Sequence, residues 1–106
     1  MQLPKRVTIC EVGPRDGLQN EKNVFSVEQK TELIERSVDA GAKIVEIGSF
    51  VHPKAVPQMA DTDEVCKRLR RVDGVEYRAL VMNQRGLERA EAAGIRKAKL
   101  TASASR

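Results

Sequence analysis

Arg15 and Asp16 are adjacent in the loop Gly13-Pro14-Arg15-Asp16-Gly17-Leu18-Gln19-Asn20, directly after a short apolar run. A guanidinium so placed can neutralise negative charge developing on a substrate oxygen. A carboxylate beside it is a suitable ligand for a hard divalent cation. Gln19 and Asn20 add amide groups close behind. The same residues also fit a plainer reading, an Asx-type turn closed by an exposed ion pair. Glu46 stands inside a second apolar run, Lys43 to Gly48. A carboxylate buried there needs a partner, and Arg15 across the neighbouring strand can supply one. Spacing leaves structural pairing and active-site function equally open for Glu46. His52 is the only histidine and precedes a proline, which reads as a loop position. Without a second histidine the pattern does not make a zinc site. Neither a GxGxxG fingerprint nor a GxxxxGK[ST] phosphate loop occurs.

The elements that must position these residues alternate between two periodicities. Residues 7–12 are short and β-branched and predict a strand. Ser26 and Gln29 fit a capping box at the start of a helix, with Val27, Ile34 and Val38 at helical spacing and Gly41 at its end. Residues 43–48 predict a second strand. Asp61 and Glu64 resemble another capping box, opening a helix through Leu69 to Val72 that Gly74 closes. The basic run Lys67-Arg68-Leu69-Arg70-Arg71 then sits at a helix C-terminus, where cations oppose the dipole. Residues 75–81 predict a third strand. Asn83 caps a short helix over residues 84–93, ended by Gly94, and residues 97–103 predict a fourth strand.

The order is β-α-β-α-β-α-β, which implies α/β class with a parallel sheet and right-handed crossovers. A small doubly wound sheet and the first part of a (β/α)8 TIM barrel both fit. In either, ligands bind at the carboxyl ends of the strands. That rule selects Glu11, Arg15, Asp16, Gln19 and Asn20 after the first strand, Glu46, Ser49 and His52 at the second, Asn83 at the third, and Thr101 and Ser103 at the fourth. The chain stops just after the fourth strand, about two fifths of the way through a barrel of ~250 residues. A barrel truncated there is therefore expected, with residues 1–106 as one partial domain.

Composition limits the alternatives. The chain has 106 residues, 41% hydrophobic and 32% charged, which excludes a disordered polymer. No stretch approaches the ~20 apolar residues of a membrane helix. The N-terminal residues lack an apolar targeting core, so a cytoplasmic location is expected. Three per cent aromatic content and no tryptophan argue against a stacking platform for single-stranded nucleic acid. The net charge of +4 suits a solvated surface or an anionic ligand. Cys10 and Cys66 form no CxxC and read as inert thiols.

Two longer motifs narrow the reading. The segment Glu11-Val12-Gly13-Pro14-Arg15-Asp16-Gly17-Leu18-Gln19-Asn20-Glu21-Lys22 resembles the opening motif of the hydroxymethylglutaryl-CoA lyase family. Glu46-Ile47-Gly48-Ser49-Phe50-Val51-His52-Pro53-Lys54-Ala55-Val56-Pro57-Gln58-Met59-Ala60-Asp61 resembles its second signature. The related condensing synthases usually carry a Thr-Leu-Arg-Asp-Gly-Glu-Gln type motif, and Gly-Pro-Arg-Asp-Gly-Leu-Gln-Asn departs from it. The resemblance implies a TIM barrel that uses Mg2+ or Mn2+ to cleave 3-hydroxy-3-methylglutaryl-CoA to acetyl-CoA and acetoacetate, in leucine breakdown. It implies Asp16 as a metal ligand and Arg15 as the stabiliser of the enolate. Arg15 and Gln19 would bind substrate, and Glu46 would act with Arg15 in catalysis. It implies an acyl-CoA partner and a homo-oligomer for the full-length form, with no nucleic-acid or membrane partner. The family's histidine and asparagine ligands and its mobile-loop cysteine lie beyond residue 106, so the isolated chain is expected to be inactive. A related acyl-CoA lyase or condensing synthase, a non-catalytic half-barrel that pairs through its open strands, and a basic anion- or nucleic-acid-binding domain are the competing readings.

Overall fold

The computed structural model describes residues 5–100. Four strands, β1 (Cys10–Glu11), β2 (Ile44–Phe50), β3 (Glu76–Val81) and β4 (Lys97–Leu100), form one parallel sheet in the order β1-β2-β3-β4. The helices α1 (Val27–Asp39), α2 (Thr62–Arg68) and α3 (Gln84–Ala92) connect them. The alternation expected from periodicity is present. Among the described residues no helix is long and apolar enough to cross a membrane.

α1 begins where its sequence says it must. The Gln29 N–H donates to Ser26 Oγ at 3.1 Å and the Ser26 N–H donates to Gln29 Oε1 at 2.9 Å, which completes the capping box. Asn83 Oδ1 accepts the Gly86 N–H at 2.8 Å and caps α3. Gly41, Gly74 and Gly94 all adopt positive φ, as expected where a helix or loop turns back into a strand. Gly86 is also needed for packing, because a Cβ there would collide with the Phe50 carbonyl oxygen. The start of α3 thereby rests directly on the end of β2.

Three expectations fail for identifiable reasons. β1 spans two residues instead of 7–12, because its ladder to β2 begins only at the Cys10–Ile44 pair. Val7 and Ile9 are left exposed before it. The Asp61–Glu64 capping box does not form. Asp61 makes no side-chain cap, and its carboxylate pairs instead with the buried Lys30 ammonium. α2 ends at Arg68, four residues early, because Leu69 turns extended (ψ 125°) to enter the core. Arg71 therefore lies beyond its own helix. It donates to the carbonyls of Ala93 at 2.6 Å and Gly94 at 2.7 Å, serving the C-terminus of α3.

The core fills the space between the helices and one face of the sheet. Ile34, Val45, Ile47, Phe50, Val65, Leu69, Tyr77, Ala79 and Val81 are among its buried members. The opposite, helix-free face follows from the pleat and the register. Glu46, Arg78 and Lys97 lie opposite one another, as do Ser49, Leu80 and Lys99. A barrel interior is ordinarily lined by bulky branched residues. This face carries charges instead, with Arg78 and Lys97 both paired to Glu76.

Candidate active site

The site forms where β1 ends. A single π-helical turn, Gly13–Gly17, follows it directly. The N–H groups of Arg15, Asp16 and Gly17 all converge on the Val12 carbonyl, at 3.1, 2.7 and 3.3 Å. Glu11 braces the entry by accepting the Gly13 N–H at 2.8 Å, so its role is structural. The turn bends the chain across the end of β2 and buries Arg15 while Asp16 stays about half exposed.

Arg15 and Glu46 meet as the apolar context of Glu46 requires. Arg15 Nε donates to Glu46 Oε1 at 2.9 Å, and Nη2 reaches the same oxygen at 2.9 Å. Glu46 is 3% exposed and Arg15 9%, so each neutralises the other's desolvation. The remaining edge of the guanidinium is not taken up by Glu46. Nη1 lies 3.5 Å from Asp16 Oδ1. Asn20 Nδ2 donates to the Asp16 carbonyl at 2.8 Å and to its Oδ1 at 3.3 Å, which fixes the carboxylate. Gln19 enters from the same loop. Its Oε1 accepts from the fully buried Ser49 hydroxyl at 2.9 Å, which leaves the amide NH2 as the end that can donate. Arg15, Asp16, Gln19 and Glu46 thus lie in one connected patch at the carboxyl ends of β1 and β2.

The other sequence-selected residues stand apart. His52 is exposed, and its Nδ1 accepts the Lys54 N–H at 3.2 Å, as a loop histidine does. Asn83 is spent on capping α3. Thr101 and Ser103 lie outside the described residues. Burial pushes the Cys66 thiol up to about 11, and burial with the Glu46 charge also raises Cys10, so neither is poised as a thiolate at neutral pH.

Two members of the site escaped notice or emphasis in the sequence. Ser49 was one polar residue among several at strand ends, and only its hydrogen bond to Gln19 distinguishes it. Lys99 lies in the basic stretch Arg96-Lys97-Ala98-Lys99, which by itself suits a solvated surface. Its Nζ lies 3.7 Å from Glu46 Oε2. The signal was the Lys97-Ala98-Lys99 alternation, which puts both ammonium groups on one face of a strand.

A divalent cation needs several converging ligands. Asp16 offers one accessible carboxylate. Among the described residues no three His, Cys, Asp or Glu side chains converge, so these residues do not by themselves make a complete metal site.

The HMGL-like family model matches residues 6–106. The mitochondrial hydroxymethylglutaryl-CoA lyase of Macaca fascicularis is 50% identical over 103 residues, which are 97% of this chain and 32% of that protein. A 3-hydroxy-3-isohexenylglutaryl-CoA/hydroxymethylglutaryl-CoA lyase of Pseudomonas aeruginosa is 48% identical over 99% of this chain and 35% of its own length. The crystal structure of Bacillus subtilis HMG-CoA lyase superposes with a TM-score of 0.94 at 50% identity, over 99% of this chain and 35% of that one. The chain therefore spans about a third of the relatives it matches, and its parallel α/β sheet corresponds to that part of their TIM barrels. The chain belongs to the HMGL-like family.

Proposed function

We propose that this chain supplies the arginine-bearing part of a carbon–carbon lyase that cleaves 3-hydroxy-3-methylglutaryl-CoA to acetyl-CoA and acetoacetate, a step of leucine breakdown. One observation carries the reading: the buried Arg15–Glu46 pair opens toward an exposed Asp16 at the carboxyl end of the sheet, in a chain of this family.

In this reading Glu46 holds the guanidinium by Nε and Nη2, so the Nη1 edge is oriented before the ligand arrives. A fixed cation there stabilises negative charge building on the thioester oxygen as the bond to the departing acetyl unit breaks. Gln19, oriented by Ser49, donates its amide to a substrate oxygen. Asp16 serves as one ligand of a divalent cation, Mg2+ or Mn2+. When bound, that cation supplies polarisation and alignment of the substrate's oxygens. Among the described residues no group of three His, Cys, Asp or Glu side chains joins Asp16 there.

The test is a chimera in which residues 5–100 replace the matching third of the Bacillus subtilis enzyme. It should release acetoacetate in a metal-dependent manner. Its Arg15→Gln variant should lose about 10²–10³-fold in kcat. A folded chimera with no turnover of either the methylglutaryl or the isohexenylglutaryl thioester would count against the reading.

A further inference from the structure

Glu46 is shared by two cations, Arg15 and Lys99. Oε1 is fully engaged by Arg15 at 2.9 Å, an ion pair in which both partners are buried. Oε2 faces Lys99 Nζ at 3.7 Å, a longer approach than a good charge-assisted hydrogen bond. Lys99 lies on β4, opposite Leu80 and two positions after Lys97, so it belongs to the charged, helix-free face of the sheet. The next carboxylate on that face is Glu76, and it is already engaged by Arg78 and by Lys97 at 2.7 Å. One negative charge at Glu46 thus confronts two positive charges. Arg15 takes the geometry, and Lys99 keeps a half-exposed ammonium with an incomplete partner.

We infer that Lys99 is a substrate-binding residue, taking the free carboxylate of a dicarboxylic acyl thioester on the side of Glu46 opposite Arg15. This rests on the lyase reading and extends it. Arg15 addresses the oxygen where charge develops, and Lys99 addresses the charge already present in the ground state. Its contribution is therefore to binding more than to the chemical step. Cys10 is a built-in reporter of this arrangement. Its Sγ lies 3.8 Å from Glu46 Oε2, and its thiol is pushed up by burial and by Glu46 but drawn down by Arg78 and Lys99.

The experiment is an amide-resolved NMR titration of the chain with glutarate, a dicarboxylate without the thioester, in the native form and in Lys99→Gln and Lys99→Arg variants. The native chain should show saturable shifts centred on Ser49, Leu80 and Lys99. Lys99→Gln should weaken binding about 5- to 10-fold, roughly the loss of one charge-assisted contact. Lys99→Arg should stay within about 2-fold of the native chain, because the charge is kept. Alkylation of Cys10 should slow in Lys99→Gln, which removes a charge that draws the thiol down, and recover in Lys99→Arg. Glutarate binding as tight in Lys99→Gln as in the native chain, or no glutarate binding at all, would overturn the inference. Failure of the chimera to turn over its substrate, with the glutarate result intact, would instead count against the lyase reading alone.

Discussion

The fold buries two cations among the described residues, and they are used in opposite ways. Lys30, 3% exposed, lies on α1 and is enclosed: its ammonium donates to the Gln58 carbonyl and to Asp61, tying α1 to the approach of α2. Arg15 is also buried and also paired, yet its guanidinium retains an edge beside the half-exposed Asp16. The lysine is a point charge closed off by two acceptors. The arginine is a planar fork of which one carboxylate oxygen occupies only one side. Burial and pairing are thus common to a structural clip and to the proposed site. What separates them is that Arg15 Nη1 lies 3.5 Å from the half-exposed Asp16, outside the grip of Glu46.

The largest effect should come from breaking the arginine pair. Arg15→Met leaves Glu46, 3% exposed, with only the longer contact to Lys99, and urea unfolding should register a loss of about 3–5 kcal/mol. Lys30→Met strands Asp61, whose side chain is 27% exposed and can reach water, so the same measurement should give about 1–3 kcal/mol. Equal losses would remove the distinction in burial drawn between the pairs. Ser49→Ala deletes one buried hydrogen bond to Gln19 and should cost about 1 kcal/mol. Ser26→Ala, which opens the α1 capping box, should cost a similar amount, about 1 kcal/mol, without touching either pair.

Burial holds the Cys66 thiol near 11 against an ordinary 9.0. The native state then keeps its proton where the unfolded state loses it. The unfolded state binds fewer protons in that window, so stability should decline as pH rises from about 9 through about 11 and be unaffected by Cys66 below it. Urea midpoints across that range check this, and Cys66→Ala should flatten the slope.

Much of this was legible in the residues. The strand–helix alternation and the Ser26–Gln29 box rest on local patterns, and short crossovers imply a parallel sheet, while its order β1-β2-β3-β4 needed the structure. The Arg15–Glu46 pair was legible because a carboxylate inside an apolar strand demands a cation. What was not legible depended on distant partners. Asp61 looks like a helix cap beside Thr62 and Glu64, but Lys30, 31 residues away, claims it. α2 looks long enough to reach Val72, but the core takes Leu69 out of the helix. Lys99 looks like surface charge until the register places it on the face that carries Glu46.

The most direct test replaces each buried pair by apolar residues within the Bacillus subtilis chimera, as Lys30→Met/Asp61→Leu and as Arg15→Met/Glu46→Leu. Apolar replacement of a buried pair is often close to neutral for stability, so both proteins should fold. The account predicts that the lysine-pair variant keeps kcat within about 3-fold while the arginine-pair variant loses at least about 10²–10³-fold. Equal turnover in the two folded variants would contradict it.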